Sequence, residues 1–285
     1  MNSFCTLRST QFSKAGWRMT LLLIALLFGW PLAHAEESYT FAVVPQFEQR
    51  KLFATWKPII DELSRRTGIT LNLVATQSVS EFERELSRGR YDFVYSNPYH
   101  ILRELTRQGY VPLVCDQTPL RGILVVRKDS PIKTPTELDG AKLAIPSFNA
   151  LGASLLLRAD LEQIYKAKPL PVDVKTHSSV YLQVANGLLP AGGGVEKTLS
   201  EQDRTVQAML RVLYTTREMP SHPVAAHPRL PAGVRQALQR ALLDLASSED
   251  DKKLLLHVPM TNPVATSMQD YTPMKKWGLE AYWVD

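Results

Sequence analysis

The stretch YDFVYSNPYH, residues 91–100, combines an apolar run with a cluster of hydrogen-bonding side chains. Its first aromatic residues suit a buried strand, whereas Ser96, Asn97 and Pro98 are typical of a strand end and a helix start. Such a junction leaves N–H groups free, and the partial positive charge of a helix N-terminus adds to them. The chemistry this predicts is binding of a small anion. The alternative is an ordinary capped turn.

The elements that would position this junction alternate between strand and helix patterns along almost the whole chain. Strand-like runs such as TFAVVP, ITLNLVA and RGILVVRK are separated by segments with helical spacing, which predicts an α/β fold. Two such series predict two lobes with parallel-rich sheets, helices on both faces and two crossover strands. The predicted divisions are a signal peptide over 1–35, lobe 1 over 36–125, an inserted lobe 2 over 126–217, and a return to lobe 1 with C-terminal helices over 218–285.

The first 35 residues have the pattern of a secretory signal peptide. Three basic residues precede the apolar run TLLLIALLFGWPL, and small residues two apart, Ala33 and Ala35, precede Glu36. The apolar run is too short for a membrane span. We therefore expect export to the periplasm with cleavage after Ala35, an uncleaved anchor being the alternative.

The composition of the remaining 250 residues is unremarkable in charge, with 30 Lys and Arg against 28 Asp and Glu. This balance gives no indication of a nucleic-acid partner. The mature chain has a single cysteine, Cys115, so it cannot form an internal disulfide. We expect a monomer.

The sequence lacks the motifs of the common enzyme and cofactor classes. It has no phosphate-binding loop, no nucleophile elbow and no paired-cysteine zinc spacing, and AGGGV lacks the spaced glycines of a dinucleotide site. We expect no catalytic residue, no cofactor and no metal.

Several segments, in this order, resemble one known family. SYTFAVVPQFE, GRYDFVYSNPYHI, VVRKDSPIKTPTELDGAKLAIPS, THSSVYLQVANGLLPAGGGV and SHPVAAHP are similar to the periplasmic phosphonate, phosphite and phosphate-binding proteins of ABC importers. The resemblance covers nearly the whole mature chain. It implies two α/β lobes around a hinge that close on an oxyanion.

The resemblance also implies a set of ligand contacts. Tyr95 matches an aromatic hydroxyl that faces the anion, with the amides after Ser96 as further donors. His177 matches a histidine at a helix start, followed by the exposed hydroxyl of Ser178. The rival interpretations are a core ring for Tyr95 and a helix cap for His177. Asn97 and Ser78 complete the expected contacts of the first lobe.

The chain departs from the family at two places. Where many members have consecutive hydroxyl residues, it reads SFNALGAS, so backbone N–H groups near Ala150, with Ser147 or Asn149 as cap, would hold the anion. Where aminoalkylphosphonate binders need an acid, it has His222. We expect a plain anion to be preferred, and an ordinary histidine pKa predicts tighter binding as pH falls from about 8 to about 6.

The function expected is capture of a small phosphorus oxyanion for an inner-membrane ABC permease, by closure of two lobes. An alternative of another class is a periplasmic sensor that docks on a receptor kinase. A further alternative is a metalloid ligand held by Cys115, although a lone buried cysteine is more often a core residue.

Overall fold

The apolar segments pair into two separate sheets in the computed structural model, which describes residues 1, 37–258 and 260–285. The first sheet contains β1 (Ser38–Val43), β2 (Thr70–Ala75), β3 (Phe93–Tyr95), β4 (Val111–Asp116), β10 (Val224–Ala226) and β11 (Pro263–Ala265), in the order β11-β4-β10-β3-β1-β2. The second contains β5 (Leu120–Arg127), β6 (Lys142–Ile145), β7 (Leu170–Asp173), β8 (Ala191–Val195) and β9 (Leu210–Met219), in the order β7-β6-β8-β5-β9.

Helices connect these strands. The α-helices are α1 (Gln49–Thr67), α2 (Val79–Ser87), α3 (Pro98–Glu104), α4 (Leu157–Gln163), α5 (His177–Ala185), α6 (Glu196–Ser200), α7 (Arg204–Met209), α8 (Ala232–Asp244) and α9 (Glu249–Leu255). A π-helical turn, Leu151–Leu156, runs directly into α4. Short 3-10 helices form at Pro135–Leu138, Met268–Asp270, Thr272–Trp277 and Leu279–Tyr282.

The two-lobed α/β fold is confirmed, but its sheets are mixed in strand direction and not parallel-rich as predicted. Parallel pairing joins β1 to β2 and β3, and joins β6 to β7 and β8. Strand β10 enters the first sheet antiparallel between β3 and β4. Strand β5 is antiparallel to both of its neighbours. Strand β11 is antiparallel to β4 at the edge of the first sheet.

The second sheet buries both of its faces because successive side chains of a strand point to opposite sides. Ile123 and Val125 of β5 pack with the apolar residues of α5, while Leu124 and Val126 pack with α4. This double burial explains why RGILVVRK reads as a continuous apolar run and not as an alternating one.

The chain crosses between the sheets twice, at residues 117–119 and 220–223. The two crossings touch, because Ser221 Oγ donates a hydrogen bond of 2.6 Å to the carbonyl of Asp116. Strand β5 pairs within the second sheet from Leu120 onward, so the lobe boundary drawn at residue 125 falls inside that strand.

The predicted signal peptide and its cleavage after Ala35 lie outside the described residues. None of the helices that the structure describes has the length and hydrophobicity needed to cross a membrane.

Candidate functional site

A small cavity of about 40 Å³ lies where the two lobes meet. Both lobes contribute residues that follow the carboxyl ends of strands, the usual ligand position in α/β sheets. The lining residues are Val44, Pro45, Gln46, Val79, Asn97, Pro146, Ser147, Ala150, Leu151, Gly152, Ala153, His177, Val195 and His222. Since a water needs roughly 10–15 Å³ of such space, the cavity has room for a small ion.

The second lobe presents a helix N-terminus to the cavity. The backbone N–H groups of Ser154 and Leu155 both donate to the carbonyl of Ala150, at 2.9 and 3.0 Å, which widens the first turn into a π turn. The lining residues 151–153 precede them, and the first N–H groups of a helix have no partner within it. These groups and the helix dipole favour an anion.

Ser147 adds a hydroxyl to this helix end. Its side chain is buried, and Oγ has no hydrogen-bond partner among the described residues. A buried hydroxyl without a partner is costly, so its position on the cavity wall indicates a ligand contact.

The triple glycine of β8 allows the helices on both faces to lie close to the sheet. A Cβ on Gly193 would lie 1.9 Å from the carbonyl oxygen of Ala153, and one on Gly194 would lie 2.1 Å from Tyr181 Oη. AGGGV is therefore a packing feature. It fixes the height of the π turn above the sheet and thereby the position of the helix N-terminus.

His177, the first residue of α5, lines the cavity. The helix cap is Thr176, whose hydroxyl accepts from Ser179 N at 3.1 Å, so the cap interpretation of His177 is wrong. Burial lowers the pKa of His177 to about 4, and its ring is therefore neutral at pH 7. Its backbone N–H donates across the cleft to the carbonyl of Gln46 at 3.4 Å.

His222 also lines the cavity, from the second crossing of the chain. Its Nδ1 lies 3.3 Å from Nε2 of Gln46. When that amide donates to Nδ1, the imidazole proton is on Nε2, which makes the ring a neutral donor. Burial, with smaller contributions from His100 and His177, lowers the pKa of His222 to about 3. The expectation that protonation between pH 8 and 6 would strengthen binding is corrected by this burial.

Tyr95 and Ser96 are placed beside the cavity and do not line it. The Tyr95 ring is fully buried, with its centroid 4.7 Å from that of Trp56 and 5.4 Å from that of His222. The backbone N–H of Ser96 donates to the carbonyl of Pro223 at 3.2 Å. Both residues lie behind the cavity wall. The Ser96 N–H is bonded to Pro223 and the Tyr95 ring packs in the core, while Tyr95 Oη has no hydrogen-bond partner among the described residues.

Asn97 is the N-cap of α3 and lines the cavity. Its Oδ1 accepts from His100 N at 3.0 Å, and its Nδ2 donates to the carbonyl of Asn149 at 3.3 Å. Asn149 itself turns away into a neighbouring cavity, and Ala150 takes the N-cap position of the π turn.

Ser78 and Ser178, two further expected ligand contacts, do not line the cavity. Ser78 caps α2 by accepting from Glu81 N at 3.2 Å, and the following residue, Val79, is the one that lines the cavity. Ser178 is half-buried and outside the lining.

Gln46 and the apolar wall were missed by the sequence reasoning. Val44, Pro45 and Gln46 follow the first strand, and their position at a strand end was the available signal. Among the described residues that line the cavity, none carries a fixed charge. An anion there would be held by neutral donors, and a buried ammonium would have no carboxylate partner.

Cys115 lies on β4, half-buried and opposite Val264, and does not line the cavity. Within the described chain, no cluster of three or more His, Cys, Asp or Glu residues is arranged to hold a metal ion.

Comparisons with known proteins bear on the family and the fold of the chain. The family described as ABC transporter, phosphonate, periplasmic substrate-binding protein matches residues 41–271. A sequence search of curated proteins finds no match to the chain.

Several solved structures share the fold. A binding protein component of an ABC phosphonate transporter from Pseudomonas aeruginosa has a TM-score of 0.74 at 14% identity and covers 85% of each chain. PhnD1 from Prochlorococcus marinus, in complex with methylphosphonate, has a TM-score of 0.78 at 12% identity and covers 87% of this chain and 100% of that one. A Xanthomonas citri protein bound to chloride has a TM-score of 0.70 at 17% identity, with coverage of 86% and 98%.

Proposed function

The chain belongs to the periplasmic substrate-binding proteins of phosphonate ABC transporters, and from this premise we propose that its inter-lobe cavity captures a small phosphorus oxyanion through neutral donors. Members of this family are solute-binding proteins and not enzymes, so the chain is a transport component. Its periplasmic location and its work with a membrane permease follow from the same membership. The identity of the ligand, the residues that contact it and the position of the hinge go beyond that membership and are proposed below.

The observation that carries the proposal is the buried Ser147 hydroxyl beside the N-terminus of the π turn. Ser147 Oγ, the N–H groups of residues 151–153 and the rings of His177 and His222 surround one small space. Donors that surround a dry site in this way bind a desolvated oxyanion without requiring a positive side chain.

The rest of the wall limits the other substituent of the phosphorus atom. Val44, Pro45, Val79, Pro146 and Val195 supply no side-chain acceptor for a ligand hydroxyl. We propose that phosphite or methylphosphonate, which place hydrogen or a methyl group against this wall, binds more tightly than phosphate. The methylphosphonate complex of PhnD1 supports this choice of ligand class.

We propose the two crossings, residues 117–119 and 220–223, as the hinge. The lobe boundaries then follow sheet membership, which places all of β5 and β9 in the second lobe. We also propose that the mature chain, starting at Glu36, works as a monomer. The family's description as a transport component favours the importer over the sensor alternative.

The test is calorimetry of residues 36–285 with methylphosphonate, phosphite, phosphate and sulfate. Ser147→Ala removes the hydroxyl, and loss of a hydrogen bond to a charged ligand should weaken binding by about tenfold or more. Ser178→Ala is the matched control, since Ser178 lies outside the cavity lining. Equal affinity of Ser147→Ala and the native protein for every anion that binds would refute the proposed site.

A further inference from the structure

A second, larger cavity of about 540 Å³ adjoins the proposed ligand site. It lies between helices α2 and α3 of the first lobe, residues 147–149 of the second lobe, and the C-terminal residues 283–285. Ser147 lines both cavities, and the Asn97 to Asn149 hydrogen bond lies between them. The arrangement of Asn149 therefore bears on how the ligand site is closed.

Asn149 belongs to the second lobe by sequence, but its side chain forms hydrogen bonds to the first lobe and to the C-terminal tail. Its Nδ2 donates to Glu83 Oε2 at 3.0 Å and to the carbonyl of Val284 at 2.7 Å. Its Oδ1 accepts from Val284 N at 3.0 Å. With only 4% of its surface exposed, Asn149 holds α2 of the first lobe and the C-terminal tail at the same time.

Glu83 is itself held from the first lobe. Its Oε1 lies 2.7 Å from His100 Nε2, and His100 Nδ1 lies 2.9 Å from Ser96 Oγ. The carboxylate thus uses one oxygen inside its own lobe and the other across the cleft. This leaves Glu83 oriented toward Asn149 before the lobes meet, which reduces the ordering cost of the contact.

The tail contacts both lobes around Asn149. The Arg103 guanidinium of the first lobe lies 4.2 Å from the Trp283 ring centroid. Its Nη2 donates a hydrogen bond of 3.2 Å to Asp285 Oδ1. From the second lobe, Arg158 Nη2 donates to the carbonyl of Tyr282 at 2.6 Å. The tail residues therefore remain beside the cleft mouth by contacts that do not involve Asn149.

We propose that Asn149 is a latch, a positioning residue that Glu83 and Val284 engage when the lobes close and that sets how long the ligand stays bound. The inference rests on the proposed function, because it takes the smaller cavity, of about 40 Å³, as the ligand site. None of Asn149, Glu83 and Val284 lines that smaller cavity. Losing the latch therefore increases the rate of opening and leaves the ligand contacts intact.

The experiment measures association and dissociation of methylphosphonate by stopped-flow tryptophan fluorescence. Asn149→Ala and Glu83→Ala should each raise the dissociation rate, the former by about ten- to a hundredfold since several hydrogen bonds are lost, with association changed by less than about threefold. The double variant should match Asn149→Ala, because the cross-cleft contact that Glu83→Ala removes is its bond to Asn149, which Asn149→Ala has already removed. Asn149→Asp should release the ligand at least as fast as Asn149→Ala, since it places a second carboxylate against Glu83.

Glu85→Ala is the matched control, on the same helix, and among the described residues Glu85 forms ion pairs with Arg84 and Arg88. Native dissociation rates in both single variants, or purely additive effects in the double variant, would overturn the latch. Small-angle scattering of the ligand-free proteins separates the two proposals, because a latch also stabilises the closed conformers that the protein populates without ligand. A larger radius of gyration for Asn149→Ala than for Glu85→Ala supports the latch even if no phosphorus oxyanion binds, whereas equal radii with equal release rates reject it.

Discussion

Nε2 of Gln46 lies 3.3 Å from Nδ1 of His222, and this contact sets what the histidine can offer a ligand. With Nδ1 occupied by an amide donor, the ring is a neutral donor through Nε2. The burial that lowers its pKa keeps it neutral.

We predict that affinity for methylphosphonate, corrected for the ligand's own ionisation, stays nearly constant from pH 8 to pH 6. The pKa values of His177 and His222, about 4 and about 3, keep both rings neutral in the free protein over that range. A bound anion raises those pKa values, so affinity increases only as pH falls through the raised values, which we expect below pH 6. Calorimetry in matched buffers tests this, and a tenfold gain between pH 8 and 6 would contradict it.

The same pKa values predict acid destabilisation of the ligand-free protein. The unfolded chain binds protons on histidine near pH ~6.5, whereas folded His177 does so only near pH 4, so this stability is present above pH ~6.5 and is lost as pH falls toward 4. The full loss for His177, reached near pH 4, is on the order of 3 kcal/mol, and part of it falls between pH 7 and pH 5. Urea unfolding at pH 7 and pH 5 should show a smaller drop for His177→Gln than for the native protein. The exposed His257→Gln is the control, and equal drops in all three proteins would count against the prediction.

Selectivity against an ammonium group is the third prediction. Because no carboxylate lines the described cavity wall, 2-aminoethylphosphonate should bind at least tenfold more weakly than methylphosphonate. His222→Asp introduces the missing negative charge. It should weaken the binding of methylphosphonate and narrow or reverse the difference in affinity between the two compounds. Competition calorimetry gives both ratios. Preference of the native protein for the amino compound would show that the ammonium finds a partner elsewhere.

Gly193→Ala should disturb both stability and binding. Its Cβ would lie 1.9 Å from the carbonyl oxygen of Ala153, so the π turn must move away from the sheet. Overpacking of this kind lowers the free energy of unfolding by about 1–3 kcal/mol. The shifted helix N-terminus should also lower the affinity for the anion. Gly233→Ala, in helix α8 with open space around the added carbon, should be neutral or slightly stabilising. Urea unfolding and calorimetry compare the two variants, and native behaviour of Gly193→Ala would show that the turn adapts.

Tyr95→Phe distinguishes the sequence expectation from the structure. The family resemblance predicts a loss of affinity, whereas the structure places the ring behind the cavity wall with Oη lacking a partner among the described residues. Removing a buried hydroxyl without a partner should leave affinity within about twofold and stabilise the fold by about 1 kcal/mol. Thermal unfolding and calorimetry measure both quantities. A tenfold loss of affinity would place the hydroxyl on the ligand.

The sequence alone determined the fold class and indicated the region of the proposed site. Alternation of apolar strands with helical spacing is a local pattern, and it requires an α/β arrangement whatever the remaining contacts are. Asn97 was identified from its place at a strand-to-helix junction, and Ser147 and His177 from the family resemblance; all three line the cavity.

The tertiary structure decided which residues of those segments line the cavity. Tyr95 and Ser96 have the side chains and amides of an anion site, but pairing with the returning strand β10 and packing on Trp56 occupy their positions. Nothing near residue 95 in sequence indicates that residues 224–226 will lie beside it.

The charge state of His222 was likewise decided by packing and not by residue type. His222 is a potential cation in the sequence and a neutral donor in the fold, because burial disfavours the charged form. Asn149 had the residue type of a helix cap or ligand contact, yet contacts from Glu83 and Val284, remote in sequence, direct it across the cleft. Residue types and periodicity are properties of the chain, whereas desolvation and long-range partners exist only once the two lobes have come together.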